Sequence, residues 1–282
     1  MTANPGRPVV SLGDRRYAVE RRWGELPNNY RLELISQLAV DRRGRVYVNK
    51  RSDPPVLVFE PSGRFRAAWG DGRVTDAHGI IVTADDRVFL IDRDRHQVLV
   101  FTVDGELLGT LGERDKPRFQ APFNHPTDVA VADDGEIYVS DGYGNSAVHR
   151  FSADHRLVRT WGSPGEGPGE FSTPHAICID RSNRVLVADR ENNRVQIFDR
   201  DGLYLGEWRD FYHPMDIYED ARGMVYVTDQ IPRLSMMTPD GRLAGRCRPT
   251  FNLPHGVSGN ADGDLFIAEL NPASIVKLAL IA

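Results

Sequence analysis

The sequence predicts an all-β chain folded as a six-bladed β-propeller, and three observations carry that expectation. Six short segments, 36–41, 78–83, 127–132, 175–180, 215–220 and 255–260, align with one another at steps of 42, 49, 48, 40 and 40 residues. That period is within or close to the range of propeller blades. Each segment is strand-like and is followed after a turn by a second apolar run, at 46–48, 88–90, 137–139, 185–187, 225–227 and 265–267. Nothing in the chain sustains a helical period.

Blade three displays the whole pattern: strands over 128–132 and 136–140 around Asp133, Asp134 and Gly135, then strands over 147–151 and 156–161. The reversals at Gly44, Gly63, Asp104-Gly105, Asp201-Gly202, Asp240-Gly241 and Asp262-Gly263 have the chemistry of tight turns. Blade six runs out after 275–280 with no fourth strand. Segment 17–24, however, ends in Trp23-Gly24, as the outer strands of blades one and three end in Trp69-Gly70 and Trp161-Gly162. The N-terminal strand is therefore expected to complete the last blade and hide an open edge. This gives a tail over 1–16 and a single propeller over 17–282. Trp23, Trp69, Trp161 and Trp208 share one repeat position and are read as packing residues. The glycine-rich stretch 162–171 lacks the Lys-Ser/Thr ending of a phosphate loop and precedes a strand, so it is read as a connection between blades.

The formal net charge is -5, which argues against nucleic acid as a partner. No apolar stretch approaches the roughly 20 residues needed to span a bilayer. The first residues lack the apolar core of a signal peptide. Cys178 and Cys247 do not make a disulfide framework. The expectation is a soluble, cytoplasmic monomer without a membrane partner.

His78, His175 and His255 open the segments of blades two, four and six. Equivalent positions on innermost strands lie at one depth around a central channel. The three imidazoles should then approach the axis with pseudo-threefold symmetry, the donor set of a catalytic metal site with one open position. A lone histidine there is usually structural; three in alternate blades reverse that reading. Ser36, Thr127 and Met215, in the intervening blades, offer zinc no strong competing ligand. Asp128 and Asp216 follow the column by one residue, and strand alternation turns them away from the axis as structural residues. Asp92, Asp141 and Asp189 recur at the ends of second strands and are also read as structural. Tyr143 lies between Gly142 and Gly144, which permit an unusual backbone turn that would push the ring towards the channel; the alternative is an aromatic lid packed on a neighbouring blade. Arg51, Arg93 and Arg190 end second strands at one level, where guanidinium groups suit a carboxylate or carbonyl. His125 and His213, each before a proline at a blade mouth, are candidates for substrate contact or rim residues. His96, His149 and His155 look like surface residues without a role.

The Trp-Gly endings, the run Gly169–Pro174 and the strand pair from Ala188 to Phe198 resemble NHL repeats. More narrowly, 125–146, 173–192 and 253–255 resemble peptidyl-α-hydroxyglycine α-amidating lyase, a zinc-dependent family. The resemblance covers roughly 34–280 and is strongest over 125–200. It implies a six-bladed propeller with zinc on His78, His175 and His255, a catalytic Tyr143, and active-site arginines at Arg51 and Arg190. Arg93 has no counterpart in it. The family's structural calcium uses an Asp directly after the last zinc histidine, where this chain has Gly256; the Ile80 carbonyl alone would hold calcium weakly. The family's half-cystine after the catalytic tyrosine is Gly144 here, which suits a reducing compartment.

The activity implied is metal-dependent cleavage of the C–N bond of an α-hydroxy-amide, on a small-molecule or peptide-terminal substrate, to an amide and a glyoxylate-type aldehyde. Two alternatives stay open at this level. One is a hydrolase or lactonase using the same axial metal to activate water, and the other is a non-catalytic binding scaffold.

Overall fold

The computed structural model describes residues 7–248 and 251–281, which form strands and turns and no helix. Six antiparallel sheets are arranged as a six-bladed propeller. The innermost strands, in blade order, are Ile35–Val40, Ala77–Val82, Asp128–Val131, Pro174–Ile179, Pro214–Glu219 and Pro254–Gly259. Each pairs with the following strand of its own blade.

The burial of each strand follows from its radial position. Second strands such as Val46–Lys50 and Val185–Asp189 are buried at every residue because neighbouring blades cover both faces. That is why they read as short continuous apolar runs. Outer strands such as Leu157–Trp161 face solvent until their final tryptophan. That tryptophan packs on the next blade: Trp69 lies 5.2 Å from Phe101, Trp161 lies 6.0 Å from Phe198, and Trp23 lies 5.8 Å from Phe59, ring to ring. The glycine-rich connection carries a short parallel ladder, Ser163–Pro164 with Glu170–Phe171.

Closure follows the expected plan. Strand Arg15–Arg21 pairs antiparallel with Ala273–Leu280, with Tyr17 opposite Leu280 and Arg21 opposite Val276. The tail assignment is corrected, because Val9–Leu12 adds a fifth strand to the same sheet. Its two inward residues, Val10 and Leu12, are buried in a cluster with Met236 and Cys247 of blade five. Arg15, also inside the supposed tail, donates to Asp220 Oδ2 at 2.5 Å. Residues 1–6 of that tail lie outside the described residues, as does residue 282. Cys178 and Cys247 are unpaired, and among the described residues no helix is long and apolar enough to cross a membrane.

A chain starting at Arg22 lacks both outer strands of blade six and uncovers the Ala273–Leu280 edge. Loss of Val10, Leu12, Tyr17 and Val19 from the core should lower the melting temperature by about 10 °C or more. The bare edge should also produce aggregates in size-exclusion chromatography. A truncated chain as stable and monodisperse as the full one would contradict this account of closure.

Candidate metal centre

Five of the six innermost strands do not keep a regular register where the aligned column crosses them. Pairing shifts between Ile35 and Leu38, Ala77 and Ile80, Pro174 and Ala176, Pro214 and Asp216, and Pro254 and Gly256. An extra residue of this kind re-aims a side chain. In blades two, four and six that residue is a histidine.

His78, His175 and His255 are buried, and their rings meet with centroids 4.9 to 5.3 Å apart. One nitrogen from each lies within 4.8 Å of the others. His78 Nδ1 bonds to the Thr127 carbonyl and His175 Nδ1 to the Met215 carbonyl, each at 2.7 Å. His255 makes the corresponding bond to Ser36. The three intervening blades thus supply the carbonyls that orient the imidazoles, fix their tautomers and leave one nitrogen of each for the centre. Burial drives all three rings towards the neutral form, His255 to a pKa of about 3 and the other two well below the usual histidine range. Arg51 and Arg190 add to this for His255.

The Tyr143 hydroxyl lies 3.0 Å from Nε2 of both His78 and His175. Two lone pairs and a phenol oxygen therefore share a single proton, with the third imidazole beside them. Such a surplus of neutral nitrogen acceptors in a buried pocket fits a borderline-soft divalent ion such as zinc. The flanking glycines act differently from the expectation. Neither Gly142 nor Gly144 has a positive φ. A Cβ would instead lie 2.1 Å from the Pro174 carbonyl oxygen at Gly142 and 2.4 Å from Asn124 Cγ at Gly144. Close packing, not an unusual turn, requires glycine here.

Arg190 NH1 is 3.4 Å from the Tyr143 hydroxyl. Arg93 and Arg190 both lie over the tyrosine ring, at 5.3 and 5.4 Å from its centroid. Arg51 is anchored through Nε to Ser36 Oγ at 3.0 Å. The structure thus assembles His78, His175, His255, Tyr143, Arg93 and Arg190, with Arg51 close by. His125 and His213 bind elsewhere: His125 joins His96 and Asn124, while His213 stacks on Tyr212 and faces Glu191 at 3.4 Å. A groove of about 400 Å³ lined by Tyr143, Asn145, Phe171 and Thr173 opens beside the tyrosine.

Two further sequence readings need correction. His149 is fully buried between Asp141 and Thr160, and His96 is also buried, because each satisfies polar groups between strands and loops. Asp128 and Asp216 do not turn away. They enter the channel beyond the histidines with Gln37, accepting the backbone N–H groups of Ile177 and Val257, while Gln37 accepts that of Ile80. Gln37 also donates to Asp216 Oδ1 at 3.0 Å. A Cβ on Gly256 would lie 2.7 Å from Gln37 Cα, so this level is already filled. The recurrent Asp92, Asp141 and Asp189 are structural as expected, accepting N–H bonds from Thr75, Asn124 and Ser172 of the entering loops. Asp76 escaped the sequence reading, although it is the only acid two residues before any column position.

Burial raises both channel carboxyls, Asp216 to about 7, and the charge of Asp216 raises Asp128 further. An acid that holds its proton more tightly when folded stabilises the fold below its unfolded pKa of about 4. That contribution is lost as pH rises through the folded value. The melting temperature of the wild type should therefore fall relative to Asp128→Asn between pH 4 and 7. A gap that stays flat across this window would show that the carboxyl is ionised throughout.

The family model for the NHL repeat matches residues 123–151 and 171–198. NHL repeat-containing protein 3 of Mus musculus is 34% identical over 270 residues, covering 85% of this chain and 78% of its own. The Homo sapiens protein of that name is 30% identical, and the match covers 80% of this chain but only 65% of the human protein. Peptidyl-alpha-hydroxyglycine alpha-amidating lyase 1 of Drosophila melanogaster is 29% identical, the match covering 93% of this chain and 59% of the fly protein. Among solved structures, a gluconolactonase from Xanthomonas campestris superposes with a TM-score of 0.71 at 17% identity, covering 99% of each chain, a likeness of fold.

Proposed function

The chain belongs to the NHL-repeat family, and from that premise we propose that it is a zinc-dependent carbon–nitrogen lyase for α-hydroxy-amides of the peptidyl-α-hydroxyglycine type. The observation that carries this reading is the convergence of three neutral, carbonyl-oriented imidazoles, two of which lie 3.0 Å from the hydroxyl of Tyr143. Relatives named as lyases of that class support the choice of reaction.

When bound, the metal supplies Lewis acidity that lowers the pKa of the substrate hydroxyl. Tyr143, acting as a phenolate whose own proton has left to solvent, takes the hydroxyl proton, its oxygen lying at the mouth of the histidine triangle. The carbon–oxygen bond becomes a carbonyl as the carbon–nitrogen bond breaks, with the electron pair leaving on nitrogen. Tyr143 then returns the proton to that nitrogen, so the products are a primary amide and a glyoxylate-type aldehyde. Arg190, beside the phenol oxygen, stabilises the negative charge carried there during the transfer. Arg51 holds the substrate carboxylate, for which a guanidinium is suited.

Purified protein should contain about one zinc per chain, and His175→Ala should lose it. Absence of metal from both, even after reconstitution, would remove the enzyme reading. With N-benzoyl-α-hydroxyglycine as substrate, Tyr143→Phe should lower kcat by about 100-fold or more and keep its metal. Undiminished glyoxylate release by that variant would exclude the tyrosine, and turnover of a lactone panel instead would point to a hydrolase.

A further inference from the structure

We propose that Asp76 is the positioning residue that brings Arg51 and Arg93 to the pocket and thereby sets its affinity for a carboxylate, an inference that rests on the reading of Arg51 as the carboxylate receptor. Asp76 lies in the loop entering blade two, two residues before His78. Its backbone is pinned on both sides: its N–H donates to Asp92 Oδ1 at 3.1 Å and its carbonyl accepts from the Arg93 N–H at 2.9 Å. The carboxylate is consequently fixed in place rather than carried on a free loop.

Two guanidinium groups from different blades share that carboxylate. Arg93 donates to Oδ2 at 2.8 Å, and Arg51 Nε stands 3.5 Å from Oδ1, which is buried and has no hydrogen bond. The Asp76 side chain is 14% exposed, whereas Asp94, the other partner of Arg93, is 43% exposed. Asp94 therefore draws Arg93 towards solvent, and Asp76 draws it inwards over Tyr143. Arg51 has Ser36 Oγ as its other anchor, a neutral one. Without the Asp76 charge, two neighbouring cations would repel each other in a partly buried space. With it, two guanidiniums against one inward carboxylate leave a net positive charge for an anionic ligand.

The probe is N-benzoylglycine, an unreactive carboxylate, titrated calorimetrically into wild type, Asp76→Asn and Asp76→Glu, with N-benzoylglycinamide as the neutral control. Asp76→Asn should weaken the acid by about tenfold or more and the amide by no more than about twofold. Asp76→Glu should recover most of the loss, and metal content should stay constant across the series. Asp76→Ser carries the same expectation as Asp76→Asn and serves as a second variant. Equal affinity of Asp76→Asn and wild type for the acid would overturn the proposal. So would parallel losses for acid and amide, or failure of the wild type to bind the acid. Retained binding of N-benzoylglycine without any glyoxylate release from the hydroxylated substrate would remove the lyase reading alone.

Discussion

The molecule depends on one kind of contact: a side chain of each innermost strand reaching the backbone of the next blade. Sheets in a propeller do not hydrogen-bond to one another along their inner edges, so the channel wall needs another seam. Here every junction has one, and the chemistry alternates around the ring. Blades two, four and six bond through imidazoles to the carbonyls of Thr127, Met215 and Ser36. Blades one, three and five bond through Gln37, Asp128 and Asp216 to the N–H groups of Ile80, Ile177 and Val257. The contacts that close the ring also orient the three histidines, so architecture and site chemistry share the same atoms.

The electrostatics follow from that arrangement. Neutral imidazoles occupy the buried centre and cations stand outside them, each matched by a carboxylate: Arg93 by Asp76 and Asp94, Arg190 by Glu191, Arg51 by Asp76. Burial and the arginines both disfavour a proton on the histidines. The guanidinium groups around the pocket therefore also keep the imidazole nitrogens unprotonated.

Much of this was legible in the chain because repeats convert sequence position into radius and depth. The histidine column, the second-strand arginines and the closing strand all follow from alignment of one blade on another. What alignment misses is geometry that breaks the repeat. Asp128 and Asp216 were expected to face away because a strand alternates, and the irregular register of the inner strands defeats that rule in blade five. The glycines around Tyr143 signalled an unusual site, yet the cause is the nearness of Pro174 and Asn124, which no local pattern encodes. Asp76 acquires meaning only from two arginines brought to it by other blades. Val9–Leu12 shows its alternation only against the blade-five residues that bury it.

Blade six joins strand Arg15–Arg21 to strand Ala273–Leu280, and it also carries His255. On the ribosome, the first of these strands emerges before the five intervening blades and must wait for all of them before it finds its partner. Until residue 255 has emerged, a nascent chain has at most two of the three imidazoles and no seam between His255 and Ser36. A complete nitrogen triangle thus needs blade six seated against blade one, so a partial ring lacks the geometry of the centre.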